Sequence, residues 1–491
     1  MLPPRFSALA LPLLLIGCAD EVQAPDRPDV VLVVCDTLRS DRLGCYGYPR
    51  ATSPIIDSLA AGGVVFEDNT CQWPWTLPSM VSLFEGRYVT AYRDKLEEHV
   101  PSLPEIFRDA GYITVGLAAN CLVDESQGFD RGFDHFDGLN CWDENGERDP
   151  SGRNIEQLSE LALEAVRDVL VLDEKGQRRP LFLYLHAYDP HDPYSPHPQF
   201  KQALPTTESG PPSPPEYWRE TFAQAGNGYD KDKLTADLAF LTDARGRYDQ
   251  EVRYFDLKLG KLLADLQGLG VNRDALTALV SDHGEGLWEH LRNEPQKRLM
   301  KRSPKQFFYQ THGGNSYQTV MATPFLMWGR GVPSGVRISQ GTENVDLIPT
   351  LLELADIAPP EGLDGHSLVP LMSGDGVSPR EYVYCYGSHG IAIRHLESGY
   401  KLIIPSGRSI DSQRPMELFN LKEDPHERRN VAKQNPEWVK RLADEYTHWM
   451  AANPTTSSTK VDRHNEQNAE DRARLKAKME ALGYTGLETG E

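Results

Sequence analysis

The sequence predicts an α/β fold: a mostly parallel, doubly wound sheet flanked by helices, with a small C-terminal antiparallel-sheet subdomain. Three observations carry this. Val30 to Val34 is an unbroken run of branched apolar residues, the mark of a strand buried on both faces. Similar short runs recur downstream between segments of helical period, the pattern of a parallel sheet covered on both sides. Past about residue 375 the long helical segments give way to short strands in succession, as in an antiparallel sheet.

In order, the Val30–Val34 strand is followed by a helix over 55–61 and a short strand at Val64-Val65-Phe66. A helix then begins near Ser79, after Pro74, Trp75 and Pro78, and further helices cover 103–110 and 161–170. Thr114 to Ala118 and Leu181 to His186 are strands, the second running straight into the turn AYDPHDPY. A long amphipathic helix over 232–266 stops at Gly268, and the apolar strand Thr277 to Ser281 follows. Pro324 to Trp328 is a strand, and 345–355 a helix capped by Asn344. Tyr382 to Cys385, Ile391 to Arg394 and Tyr400 to Ile404 make the antiparallel part, closed by a helix over 436–451. The domain plan is a targeting segment over 1–18, a linker over 19–28 and the main domain over 29–375. The antiparallel subdomain over 376–452 and a polar, partly helical tail over 453–491 complete it.

Composition narrows the classes of function. A formal charge of −21 argues against general nucleic-acid binding, and it means that any anion site must be locally positive. Arg5 and the apolar stretch from Ala8 to Ile16 form a signal segment too short to span a bilayer. It ends in Leu15-Ile16-Gly17-Cys18, which resembles a bacterial lipobox and implies cleavage before a lipid-carrying Cys18. The expectation is an exported protein of the cell envelope, held to the membrane by that lipid. The remaining six cysteines show no zinc-type spacing.

The chemistry gathers at predicted strand ends. Asp36 follows the first strand, and Asp282 and His283 follow the strand Thr277 to Ser281. In open α/β sheets ligands collect at the carboxyl ends of strands. Thr76 precedes a predicted helix whose N-terminus offers free N–H groups to an anion. A Thr hydroxyl needs a base or metal before it attacks anything. Two carboxylates, an imidazole and the Thr76 oxygen suit one divalent ion, and Ca, Mn and Zn all remain open. His191, within the DPHDPY turn, and His312, before two glycines that permit close approach of a ligand, are further candidates, and His312 reads equally as a loop residue. Arg39 and His186 are candidate substrate contacts, though Arg39 also reads as an ion-pair partner and His186 as a hydrogen-bonded structural histidine. Glu285 and His290 read as supporting residues.

Taken together, VLVVCDTLRSDRLGCYGY, GVVFEDNTCQWPWTLPSMVSLFEGRY, DPHDPY, LVSDHGEGLWEH, HGGNSY and ELFNLKEDPHERRNVA resemble the sulfatase family, within the alkaline phosphatase superfamily. The resemblance spans nearly the whole mature chain. It implies a hydrolase of anionic esters with Asp36, Asp282 and His283 on the metal, Thr76 at the nucleophile position, and His191 and His312 facing the anion. Three positions depart from the pattern. Family members carry Cys or Ser in C-x-P-S-R, matured to formylglycine, where this chain has Thr76; the Arg of that motif is Met80, and the second of the paired metal aspartates is Thr37.

A formylglycine hydrate expels sulfate with its second hydroxyl, and threonine has none. Phosphothreonine, by contrast, is open to attack at phosphorus. The expectation is therefore a preference for phosphate or phosphonate esters. A phospho-group transferase using the same covalent intermediate, or a non-catalytic binding protein of the same fold, are the alternatives. Between Leu291 and Thr311 six basic residues (Arg292, Lys297, Arg298, Lys301, Arg302 and Lys305) stand against one acidic residue, Glu294, and the segment reads either as a positive rim that recruits polyanions or as a solvated basic loop.

Overall fold

The computed structural model of the chain describes residues 27–90, 93–138, 153–171, 177–204, 231–291, 308–374, 376–387, 390–405 and 415–453. The targeting segment with Cys18, residues 454–491 of the tail and the basic residues from Arg292 to Lys305 lie outside the described residues. Among the described residues eight strands form the central sheet: β1 (Val30–Cys35), β2 (Val64–Phe66), β3 (Ile113–Ala118), β4 (His135–Asp137), β5 (Leu181–Ala187), β6 (Leu276–Val280), β7 (Phe325–Trp328) and β8 (Val336–Ile338). They lie in the order β8-β2-β7-β6-β1-β5-β3-β4. The run from β6 to β4 is parallel throughout, and β7 is antiparallel to both its neighbours. The mostly parallel sheet expected from the sequence is the one observed.

Strand β1 sits at the centre, buried along its whole length. Its side chains alternate between two cores. Val31, Val33 and Cys35 pack with α1 (Pro54–Ala61), α4 (Ile155–Val169) and α5 (Lys231–Gly268). Val30, Leu32 and Val34 pack with α2 (Thr76–Glu85), α3 (Leu103–Asp109) and α6 (Leu347–Leu354). A period of two along the strand thus serves two helical layers, which is why the sequence run shows no polar gap.

Three boundaries differ from the sequence expectation for local reasons. Helix α2 starts at Thr76 and not near Ser79. Pro78 falls in its first turn, where a missing N–H is harmless, and the Ser79 N–H closes that turn on the Trp75 carbonyl at 3.2 Å. Helix α4 begins upstream at Ile155 because Asn154 and Gln157 form a capping box. Asn344 does not cap α6. Glu343 and Asp346 form the capping box at that end, while the Asn344 amide donates to the Ser281 carbonyl at 2.9 Å.

The C-terminal sheet is an antiparallel meander of β9 (Tyr382–Gly387), β10 (Gly390–His395), β11 (Tyr400–Pro405) and β12 (Glu417–Asn420). One face packs on α7 (Pro436–Ala452) through Leu442 and Trp449. The other, through Cys385, Ala392, Ile403 and Phe419, packs on Cys71, Tyr317, Val320 and Met321. The subdomain therefore backs both the chain leading into Thr76 and the chain leaving His312.

Candidate active site

Parallel strands β6, β1, β5 and β3 are adjacent, so their carboxyl ends form one edge. Cys35 lies opposite Ala187, and Val34 opposite Val280, so residues just beyond these strands leave the sheet at one level. Asp36, Asp282 and His283 come together there, all fully buried, each with a ligand atom within 4.8 Å of the others. His283 Nδ1 donates to the Gly284 carbonyl at 2.9 Å. That bond fixes the tautomer and leaves the Nε2 lone pair facing the cluster.

The two carboxylates are braced in the same way, one oxygen each. Asp282 Oδ1 accepts from the backbone N–H groups of Thr37 (3.2 Å) and His283 (2.8 Å), while its Oδ2 is buried with no hydrogen-bond partner. Asp36 Oδ2 accepts from the Asn120 side-chain amide at 2.5 Å, while its Oδ1 is likewise unpartnered. Thr37, at the position of the family's second aspartate, adopts φ 55°. That left-handed conformation is uncommon for a β-branched residue and aims its N–H at Asp282.

Thr76 occupies the first position of α2, fully buried, with Oγ1 3.1 Å from His283 Nε2. The Ser79 hydroxyl donates to the Asp282 carbonyl at 2.6 Å, tying the first turn of α2 to the end of β6. Met80, where the family motif has Arg, sits in the apolar core behind the helix. His312 lies between His283 and His191, its ring tilted to the first at a centroid distance of 4.2 Å and edge-on to the second at 5.0 Å. Its Nδ1 lies 3.2 Å from Glu285 Oε1. His191 donates from Nδ1 to the Asp192 carbonyl at 2.6 Å, and its Nε2 is buried without a hydrogen-bond partner.

Two candidate substrate contacts are placed differently. Arg39 is buried with its guanidinium committed to Asp41, to Glu289 at 2.8 Å and to the Glu285 carbonyl at 2.9 Å. This is the ion-pair arrangement named above as its alternative. His186, on β5, stands against Asp36 with Nε2 3.7 Å from Oδ2, its Nδ1 beside the Tyr184 hydroxyl at 3.1 Å. Sequence reasoning missed Asn120. It follows β3 just as Asp36 follows β1, so the same strand-end rule points to it.

The charges show what the site lacks. Among the described residues, Asp36 and Asp282 form ion pairs with histidines only. Burial raises the Asp282 carboxyl well above the carboxylate range, and the charge of Asp36 adds to it. Burial also pushes Asp36 up, but His191 and His186 outweigh it and hold it low. His283 and His312 are kept neutral, by burial first and by neighbouring imidazoles second, His312 at about 3. Burial lifts Glu285 to about 8 against the opposing pull of His191. Two buried carboxylates, each with one orphaned oxygen, beside neutral imidazoles make a poor ion-pair network and a good cation site. The residues fit a divalent ion held by Asp36, Asp282 and His283, with the Thr76 oxygen beside them.

A doubly wound sheet with such a cluster at its strand ends, facing a hydroxyl at a helix N-terminus, defines a hydrolase of the alkaline-phosphatase-like fold class. The comparisons are specific within that class. The sulfatase family model matches residues 28–357, and a model of the N-sulphoglucosamine sulphohydrolase C-terminal region matches residues 314–450. The chain belongs to the sulfatase family and is a hydrolytic enzyme of that type. It is 25% identical to arylsulfatase A of Homo sapiens, over 87% of this chain and 89% of that one. It is 24% identical to the Delta 4,5-hexuronate-2-O-sulfatase of Bacteroides thetaiotaomicron, with the same coverage of each. In fold it resembles the phosphonate monoester hydrolase of Agrobacterium radiobacter (TM-score 0.64, 20% identity, 87% of this chain and 96% of that one).

Proposed function

We propose that this sulfatase-family hydrolase acts on phosphate or phosphonate esters, with Thr76 as the nucleophile that carries a covalent phosphoryl group. The observation that carries this is the placement of the Thr76 hydroxyl, buried at the start of α2 and 3.1 Å from His283 Nε2. A bound divalent ion would lower the pKa of that hydroxyl and neutralise charge on the transferring group. The chain's own residues do the rest. The N-terminal N–H groups of α2 favour the anion, and His191 and His312 stand beside it to contact its oxygens or leaving group. Thr76 Oγ1 gives up its proton and attacks phosphorus, and the ester oxygen leaves with a proton as the alcohol. Water then attacks phosphorus, breaks the Oγ1–P bond and releases phosphate or phosphonate with Thr76 unchanged, the step that a sulfated threonine completes less readily. The similarity in fold to phosphonate monoester hydrolases supports this direction.

The donor set also bears on the metal. Asp36, Asp282, His283 and Thr76 offer few ligands, one of them nitrogen, whereas calcium takes about 6–8 oxygens. This favours Zn or Mn. Purified protein assayed on aryl phosphate, phosphodiester, phosphonate monoester and sulfate esters tests the proposal. The highest kcat/KM should fall on a phosphorus ester, with water as acceptor even when an alcohol is added. Faster turnover of the sulfate ester than of every phosphorus ester would overturn it, and transfer to the alcohol would favour a transferase.

A further inference from the structure

Asp36 is braced by a side chain with no part in the chemistry described so far. Asp282 has its Oδ1 fixed by two backbone N–H groups, which any substitution other than proline leaves in place. The corresponding oxygen of Asp36 is held by Asn120 Nδ2 at 2.5 Å, with His186 Nε2 farther off at 3.7 Å. Asn120 is 1% exposed, and its own orientation is fixed because its Oδ1 accepts the Leu122 N–H at 2.9 Å. The amide NH2 therefore has to face the carboxylate.

Rotation of a carboxylate about its last torsion is soft, so an unbraced Asp36 could turn either oxygen, or both, toward a cation. With Oδ2 engaged, only the buried, unpartnered Oδ1 is presented. We infer that Asn120 is a positioning residue for the metal centre, holding Asp36 to a single ligating oxygen from the end of the second strand away. The inference rests on the metal-centre assignment made above. Outer partners of this kind orient ligands, and their loss typically costs about 10–100-fold in metal affinity.

The test reads metal binding directly and needs no turnover. Metal-stripped wild type, Asn120→Leu (similar volume, no donor) and Asn120→Ser (shorter, donor kept) are titrated with Mn(II) by calorimetry, and the Mn(II) spectra are compared by electron paramagnetic resonance. Circular dichroism of the metal-free proteins checks folding. The expected result is a 10–100-fold weaker affinity and an altered spectrum for Asn120→Leu, with Asn120→Ser between it and wild type. Affinity within about twofold of wild type and an unchanged spectrum in the folded variants would overturn the role of Asn120 alone. If Asn120→Leu does not fold, Asn120→Ser decides: an unchanged spectrum and affinity overturn the inference. A wild type that binds no divalent ion overturns the metal centre and this inference with it.

Discussion

At the scale of single residues, the proposed cation site depends on a donor set that no one member supplies. Asp36, Asp282 and His283 are fully buried and share one small volume, so removing any of them leaves the other two with an incomplete donor set. Asp36→Asn, Asp282→Asn and His283→Ala should each lose more metal affinity than the about 10–100-fold expected for an outer partner, and the three should lose activity to a similar degree. Stoichiometric metal retained by any one variant, measured by elemental analysis after gel filtration, would remove that residue from the set. These three were legible in the sequence because the ends of apolar strand runs are easy to locate. Asn120 shared the same signal but no acid or imidazole drew attention to it. The destination of Arg39 was not legible, since its partner Glu289 lies 250 residues away and on a separate strand.

At the scale of elements, the Arg39 network shows how the site's surroundings are locked. Glu289, in the strand Leu287–Leu291, meets Arg39 at 2.8 Å, Arg245 of α5 at 3.1 Å and Arg42 at 3.6 Å. Burial pushes its carboxyl up, but Arg39, Arg245 and Arg42 outweigh this and hold it at about 2, against an ordinary 4.5. A depressed folded pKa means stability that is present above about pH 4.5 and lost as pH falls through about 2. Glu289→Gln should therefore cost about 3 kcal/mol at neutral pH. The gap from wild type should shrink as pH falls from about 5 to about 2. Denaturant unfolding at several pH values checks this, and a gap independent of pH would contradict it. Helix ends were the least legible elements. Their caps are set by competition among neighbouring polar side chains, as at Glu343 and Asp346, where a capping box three residues apart wins over Asn344.

At the scale of the whole molecule, the order of strands β6-β1-β5-β3 is what turns scattered motifs into one site. That order could be expected as a class from the strand–helix alternation, because parallel strands need crossovers and place their carboxyl ends together. The antiparallel placement of β7 was not legible, as a short apolar strand carries no sign of its direction. The N-terminal segment adds a separate proposal: export and anchoring through lipid on Cys18. Cys18→Ser should move the protein from the membrane fraction to the soluble fraction of the envelope without changing its kcat. Membrane association unaffected by that change would rule the anchor out.

The central claim is that Thr76 carries the covalent intermediate, and it can be observed directly. Enzyme turning over its best phosphorus ester is quenched in acid and digested, and the peptide spanning Thr76 is examined by mass spectrometry beside a Thr76→Ala control that keeps its fold and metal. The expected result is one added phosphoryl group on Thr76 in the wild type and none in the control, whose turnover is lost. Turnover retained in Thr76→Ala, or a phosphoryl group found on another residue, would contradict the assignment.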